Sequence, residues 1–231
     1  MERNGIDRVR RAWARGLTQM IVCDPQSIDY LTGVYVEPFE RLFALCLRAD
    51  GSHVFFLNKL FSVPETPIEK VWFTDTDDSI GMIAQRIQAG KPLGIDKEWP
   101  ARFLLPLMER LPGTPCQLAS DCVDSVRARK DAAEQELMRM NSRLNDEAMT
   151  RAAAYIREGM TEAQVADFLL AQYKELGCQD VSFPPIVSFG ANAADPTTCR
   201  TVPSCGRATA LCWISAAKGW VLLRYDPHLF L

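Results

Sequence analysis

Residues Gly159 to Pro196 read GMTEAQVADFLLAQYKELGCQDVSFPPIVSFGANAADP. The Thr161 hydroxyl and the Gln164 side chain can each satisfy a backbone N–H of a first helical turn, a reciprocal capping box. Val165, Phe168, Leu169, Tyr173 and Leu176 recur at helical spacing and give that helix one apolar face. Gly177 stands where a left-handed residue closes a helix. Phe183, Ile186, Val187 and Phe189 then mark a short buried strand, ended by Gly190-Ala191-Asn192. The stretch therefore predicts one helix, one turn and one strand running into a loop.

A generic amphipathic helix on a strand would not need Pro184-Pro185 and Asn192-Ala193-Ala194 together. With the Met160-Thr161-Glu162 opening, these details resemble the start of the catalytic "pita-bread" domain of the Xaa-Pro peptidase family, metallopeptidase family M24, which includes aminopeptidase P, prolidase and creatinase. The resemblance runs from Met1 to Pro196 and is most specific in the quoted stretch. It implies an α/β fold: a creatinase-like N-terminal domain with a central mixed sheet over residues 1–125, then the start of an incomplete α+β pita-bread domain over 126–196. Residues 197–231 fall outside it.

Composition allows this. A chain of 231 residues, 48% of them hydrophobic, can bury two ordinary cores. A net charge of −3 gives no electrostatic reason to expect nucleic acid or an anionic membrane as partner. No apolar run approaches the ~20 residues of a membrane helix, and MERNGIDRVRRAWARG lacks the apolar core of a secretory signal. Its arginines read as the solvated face of a first helix, with Ile6, Val9 and Trp13 turned inward. The 8 cysteines include no Cys-x-x-Cys pair; Cys23 and Cys46 lie in apolar segments as small hydrophobes. This usage fits a reducing, cytoplasmic setting.

Along the chain, Arg3–Arg15 predicts a helix and Thr18–Cys23 a strand. Asp24-Pro25 opens a helix, with Asp as cap and Pro in the first turn, that ends at Tyr30-Leu31-Thr32-Gly33. Arg41–Arg48 and His53–Leu57 read as strands joined by Ala49-Asp50-Gly51-Ser52. Val71–Thr74 and Pro92–Asp96 are further strands, and Ser79–Gln88 and Pro100–Arg110 are helices. This alternation predicts a layered α/β domain. Asp75, Asp77 and Asp78 could bind a cation, but carboxylates at a helix start are favoured by its dipole without any ligand. His53 at a strand start reads as a surface or packing residue. Val126–Lys130 is a short basic link, followed by a long helix, Ala132–Arg157, with Leu137, Met140, Leu144, Ala148, Ala152 and Ile156 as its seam.

From Thr197 onward the sequence, TTCRTVPSCGRATALCWISAAKGWVLLRYDPHLFL, has no clean helical or alternating period. In the family the Pro of the quoted run is followed by His-His; here Thr197 and Thr198 follow. Codons read one base early allow His-His-Val-Pro-Asp over Pro196–Arg200 and Gly-Asp-Cys-Ala-Leu-Leu-Asp-Ile-Gly over Arg207–Ser215. The other frame allows Gly-Tyr-Cys-Ser-Asp-Met-Thr-Arg-Thr-Phe-Phe from Trp220. These strings resemble the family's own continuation, including a substrate-side His and two Asp metal ligands. The chain is therefore expected to be a truncated, frame-shifted relative, with an ill-ordered tail and the strand at Pro185–Phe189 lacking partners.

The resemblance implies hydrolysis of Xaa-Pro peptide bonds by two divalent ions, manganese, cobalt or zinc, held by carboxylates and one His in full-length relatives. Those ligands are not found in the sequence as written, which has only His53 and His228. No catalytic or metal residue is assigned and no ion is expected on this chain; Asp226 and His228 alone are a weak grouping. Phe183 and Asn192 are the candidate substrate-binding residues, since their segment lines the substrate side in the family. Expected partners are short proline-containing peptides in full-length relatives and a possible homodimer. The leading expectation is an Xaa-Pro peptidase by descent, inactive as this chain. A non-catalytic interaction or dimerisation module is the first alternative, and a metal-free hydrolase of the creatinase type the second.

Overall fold

The computed structural model describes residues 5–12, 16–178 and 180–194, with the backbone alone described at 10–12, 194, 211–215, 217–219, 222–223 and 226–230. The chain divides into two compact units, 1–129 and 130–231.

The first unit runs α1 (Gly5–Ala12), β1 (Gln19–Val22), α2 (Pro25–Thr32), β2 (Phe43–Arg48), β3 (Val54–Asn58), β4 (Glu69–Phe73), α3 (Ser79–Ala84), β5 (Leu93–Ile95), α4 (Ala101–Arg110), β6 (Cys116–Leu118) and α5 (Asp121–Ala128). The strands form one sheet in the order β4-β3-β2-β1-β5-β6. It is mixed: β1–β2 and β2–β3 are antiparallel, whereas β1–β5, β3–β4 and β5–β6 are parallel. Period-two alternation feeds a core on each face. Met20, Val22, Leu45, Leu47, Phe55 and Leu57 meet Val9, Ile28, Leu31 and Val123 of α1, α2 and α5. Ile21, Ala44, Cys46 and Phe56 meet Ile80, Ile83 and Leu107 of α3 and α4 on the other face. Inward residues on both faces explain why these strands read as continuous apolar runs.

Local chemistry fixes the element ends. Asp24 caps α2 through the Gln26 and Ser27 N–H groups, Pro25 opens the helix, and Gly33 closes it in the left-handed region at φ 75°. Gly94 is required by close approach, because a Cβ there would stand 2.8 Å from both Ala119 Cβ and Leu17 Cδ2. Buried Gln19 ties β1 to the segment after α3: its Oε1 accepts from Gln88 N, and its Nε2 donates to the Gln88 and Lys91 carbonyls.

Three readings change. The helix from Ser79 ends at Ala84 rather than Gln88. Strand β6 escapes the sequence pattern, since its three residues are half-buried or exposed. The supposed link at Val126–Lys130 begins within the last turn of α5, with Val126 packed against the first core. Trp13 lies outside the described residues.

The second unit runs α6 (Ala132–Tyr155), α7 (Glu162–Glu175), β7 (Asp180–Val181), β8 (Ile186–Phe189), a 3₁₀ turn (Gly190–Ala194), β9 (Leu211–Ser215), β10 (Ala217–Gly219), β11 (Leu222–Leu223) and β12 (Asp226–Phe230). Two antiparallel three-stranded sheets form, β11-β10-β7 and β12-β9-β8. Thr161 and Gln164 make the reciprocal capping box, and Gly177 follows α7 at φ 80°. Ala148, Ala152, Val165, Leu169, Tyr173, Val187 and Phe189 form the core.

Here too the structure departs from the reading. β8 begins at Ile186, so Phe183 lies in the bend before it; Pro184 and Pro185 have no N–H to donate to a ladder. β8 is not left unpaired, because Ile186, Val187, Ser188 and Phe189 face Ile214, Trp213, Cys212 and Leu211 of β9. Ladder bonds are made by backbone groups, so a strand can find a partner whatever side chains that partner carries. The side chains from Asp195 to Leu231, including Asp226 and His228, lie outside the described residues. Finally, α6 buries Asn141 and Asn145 with Ala148, Met149 and Ala152, while Met140 is exposed. Asn145 tolerates burial because its Oδ1 accepts from the Tyr173 hydroxyl at 2.5 Å.

Candidate functional site

In the second unit the site is built around the first residue of α7. Glu162 is only 4% exposed. Its Oε1 accepts the Phe189 N–H at 2.7 Å and Asn192 Nδ2 at 3.1 Å, and its Oε2 lies 3.4 Å from the same Nδ2. A buried carboxylate is costly unless it is hydrogen-bonded; here a backbone amide, a side-chain amide and the positive end of a helix share it. The result pins the end of β8 and the following turn to α7. Of the two predicted substrate-side residues, Asn192 is half-buried in that turn and joined to Glu162, while half-buried Phe183 precedes β8 at its other end. In the sequence Glu162 stands out only as part of the helix-opening signature. Its spacing held a signal, since Glu162, Val165, Ala166 and Leu169 share one buried face at i, i+3, i+4 and i+7.

The first unit has a cleft of about 470 Å³ beyond the carboxyl ends of the parallel strands β1 and β5, with Cys23, Trp99, Phe103, Lys97, Asp124 and Arg127 among its walls. Buried Asp96 stitches its floor, accepting from Cys23 N at 3.0 Å, Asp24 N at 3.1 Å and Ser120 Oγ at 2.9 Å. Burial, then the neighbouring carboxylates of Asp96, Asp24 and Glu98, push the Cys23 thiol up, so it is no nucleophile. The cations in the wall are engaged: Arg127 with Asp24 and Ser27, Lys97 with Asp124.

The acidic cluster serves the fold. Asp75 is held below its ordinary range by Arg41 and then Asn58, Asp77 by the Thr74 N–H and hydroxyl, and Asp78 by Arg110 and the Gly81 N–H that it caps. Their folded pKa values lie below the ordinary 3.8. The folded state therefore binds fewer protons, and the stabilisation is complete above 3.8 and lost as pH falls through the folded values. Comparing urea midpoints at pH 7 and pH 3, an Asp77→Asn/Asp78→Asn chain is expected to lose less on acidification than the parent. An equal loss would contradict this assignment.

The two divalent ions implied by the resemblance find no ligand set in these parts: among the described residues, no group of three or more His, Cys, Asp or Glu side chains could hold a metal. His53 instead accepts the Arg48 N–H at Nδ1.

Comparison with known proteins is consistent with both units. Residues 6–129 match the Creatinase/Prolidase N-terminal domain, and residues 136–214 match Metallopeptidase family M24. An uncharacterized peptidase of Staphylococcus aureus is 29% identical over 182 residues, 76% of this chain and 50% of its own length. The chain thus spans about half the length of the curated relatives it matches. In structure, it resembles a recombinant prolidase from Thermococcus sibiricus, with a TM-score of 0.88 at 22% identity over 99% of this chain and 65% of that one. A dipeptidase from Mycobacterium ulcerans gives 0.87 at 24% identity, over 98% and 63%. At these identities the likeness is one of fold. Since the N-terminal-domain match alone covers more than half of the chain, and a metallopeptidase segment follows it, the chain belongs to the creatinase/prolidase family of M24 metallopeptidases.

Proposed function

We propose that this chain descends from an enzyme that hydrolyses Xaa-Pro peptide bonds, and that it keeps part of the substrate side but has lost turnover. Short proline-containing peptides are the proposed ligands, Asn192 their polar contact and Phe183 their apolar one. The observation that supports this reading is the turn after β8, where Asn192 is fixed by buried Glu162 within the segment matched to metallopeptidase family M24. Loss of turnover is proposed because Thr197 and Thr198 stand where the family carries His-His. In full-length relatives the metals would be manganese, cobalt or zinc. A cytoplasmic setting belongs to the same reading, with Cys23, Cys46, Cys116 and Cys178 as unbridged thiols, and a homodimer is the proposed assembly.

The test uses the purified 231-residue chain, proline dipeptides and added manganese, cobalt or zinc. No metal-dependent release of proline is expected, while an Ala-Pro titration should perturb the Asn192 side-chain amide signals. Metal-dependent turnover by this chain, free of contaminating peptidase, would overturn the loss of activity. Undisturbed Asn192 signals at saturating dipeptide would overturn the substrate-side assignment.

A further inference from the structure

We propose that the cleft of the first unit is a binding site for a small organic ammonium ion with an aromatic body. The site lies in a different unit from Asn192 and does not depend on the substrate-side reading.

Topology puts the cleft where open α/β sheets hold their ligands. Strands β1 and β5 are parallel neighbours, yet the helices that follow them cover opposite faces of the sheet. Ile28 and Leu31 of α2 join one core, and Leu107 of α4 joins the other. The two connections diverge beyond the strand ends, and the crevice between such connections is the usual ligand position in this kind of sheet. A volume of about 470 Å³ is the size of a small-molecule site.

The walls select the charge of the ligand. Each cation among them already has an anion: Arg127 pairs with Asp24, Lys97 with Asp124, and Arg41 with Glu40 and Asp75. The carboxylates of Glu37 and Glu98 also line the cleft, and neither forms an ion pair among the described residues. Glu37 accepts only the Tyr35 hydroxyl, at 3.1 Å. The unmatched charge is therefore negative, and it attracts an ammonium ion and repels an anion. Both carboxylates are exposed, so charge alone holds a ligand weakly. The rest comes from Trp99, Phe103 and Phe39, whose rings can cover an apolar body and attract a cation at their faces. Phe39 carries a further mark. Its side chain is 79% exposed and its φ is 50°, a left-handed conformation that a bulky residue seldom takes. Among the described residues no other side chain larger than glycine's stands at positive φ. Packing within the unit does not account for that conformation, since the ring is left in solvent; a ligand in the cleft gives it a surface to cover.

The experiment titrates the full chain with benzylammonium and follows the Lys97 and Glu98 amides and the Trp99 indole signal. Saturable shifts at all three are expected. Benzyl alcohol keeps the ring and removes the charge, and should bind about tenfold more weakly; phenylacetate should not shift these signals. A Glu37→Gln/Glu98→Gln chain is expected to melt with the parent, since neither carboxylate is paired, and to bind benzylammonium roughly fivefold or more weakly. Phe39→Ala should also weaken it. Absence of saturable shifts with benzylammonium would overturn the proposal. So would equal or tighter binding of benzyl alcohol or phenylacetate by the parent, a comparison that does not rely on the variants folding. Undiminished affinity in the double glutamine chain would remove the role given to Glu37 and Glu98, and the proposal with it.

Discussion

Replacing Asp96 with alanine is expected to destabilise the first unit by about 3–5 kcal/mol. The carboxylate is buried and accepts from two backbone amides, Cys23 and Asp24, and from Ser120 Oγ, with the Glu98 N–H at 3.2 Å. These donors come from the ends of β1 and β5 and from the segment before α5, so one side chain holds together three pieces far apart in sequence. Truncation leaves the buried Cys23 amide and Ser120 hydroxyl without this partner. Each buried orphan costs about 1–3 kcal/mol, more than the net gain from the average bond. Asp96→Asn should cost less, about 1–2 kcal/mol, since one acceptor oxygen remains. Urea unfolding followed through the exchange of the Ile21 and Ile95 amides would measure both. A shift below about 1 kcal/mol for alanine would mean that water or a neighbour replaces the carboxylate.

Leu169→Ala is expected to cost the second unit about 3–4 kcal/mol, within the range for leucine truncation in a close-packed core. Leu169 is fully buried among Ala148, Ala152, Val165, Tyr173, Val187 and Phe189. Small alanines on α6 let α7 come close, and their backbone cannot follow the missing methyls inward, so a cavity remains. Its neighbour Leu170 is 39% exposed, and Leu170→Ala should cost less than about 1 kcal/mol. The pair is a control on helix propensity, because both changes replace leucine by alanine on the same helix. Equal losses at the two positions, read from exchange of the Val187 and Phe189 amides, would contradict the packing described for α7.

Leu169 and Leu170 also mark how much the sequence determines. Helical spacing selects Leu169 for the core without Leu170, and cap chemistry selects Thr161, Gln164, Asp24 and Gly33, because these signals act within a turn of chain. Five strands of the six-stranded sheet were legible as alternation, and the family in the run from Phe183 to Pro196. Short elements were not: β6 has three residues and little burial, too few to make a period. The rotated face of α6 was hidden as well, because Asn141 and Asn145 look like surface residues until Tyr173 supplies a partner for Asn145.

The candidate site divides along the same line. Asn192 was visible as part of a motif, but its orientation was not, since that depends on a carboxylate thirty residues earlier in the chain. Glu162 was visible as a helix-opening acid and hidden as a buried ligand of the Phe189 amide. The sequence by itself determined the local elements, the caps and the family, all set by neighbours within a few residues or by a contiguous motif. Only the tertiary structure decided which polar groups are buried and which face each presents, because burial and hydrogen-bond partners come from parts of the chain that meet only on folding.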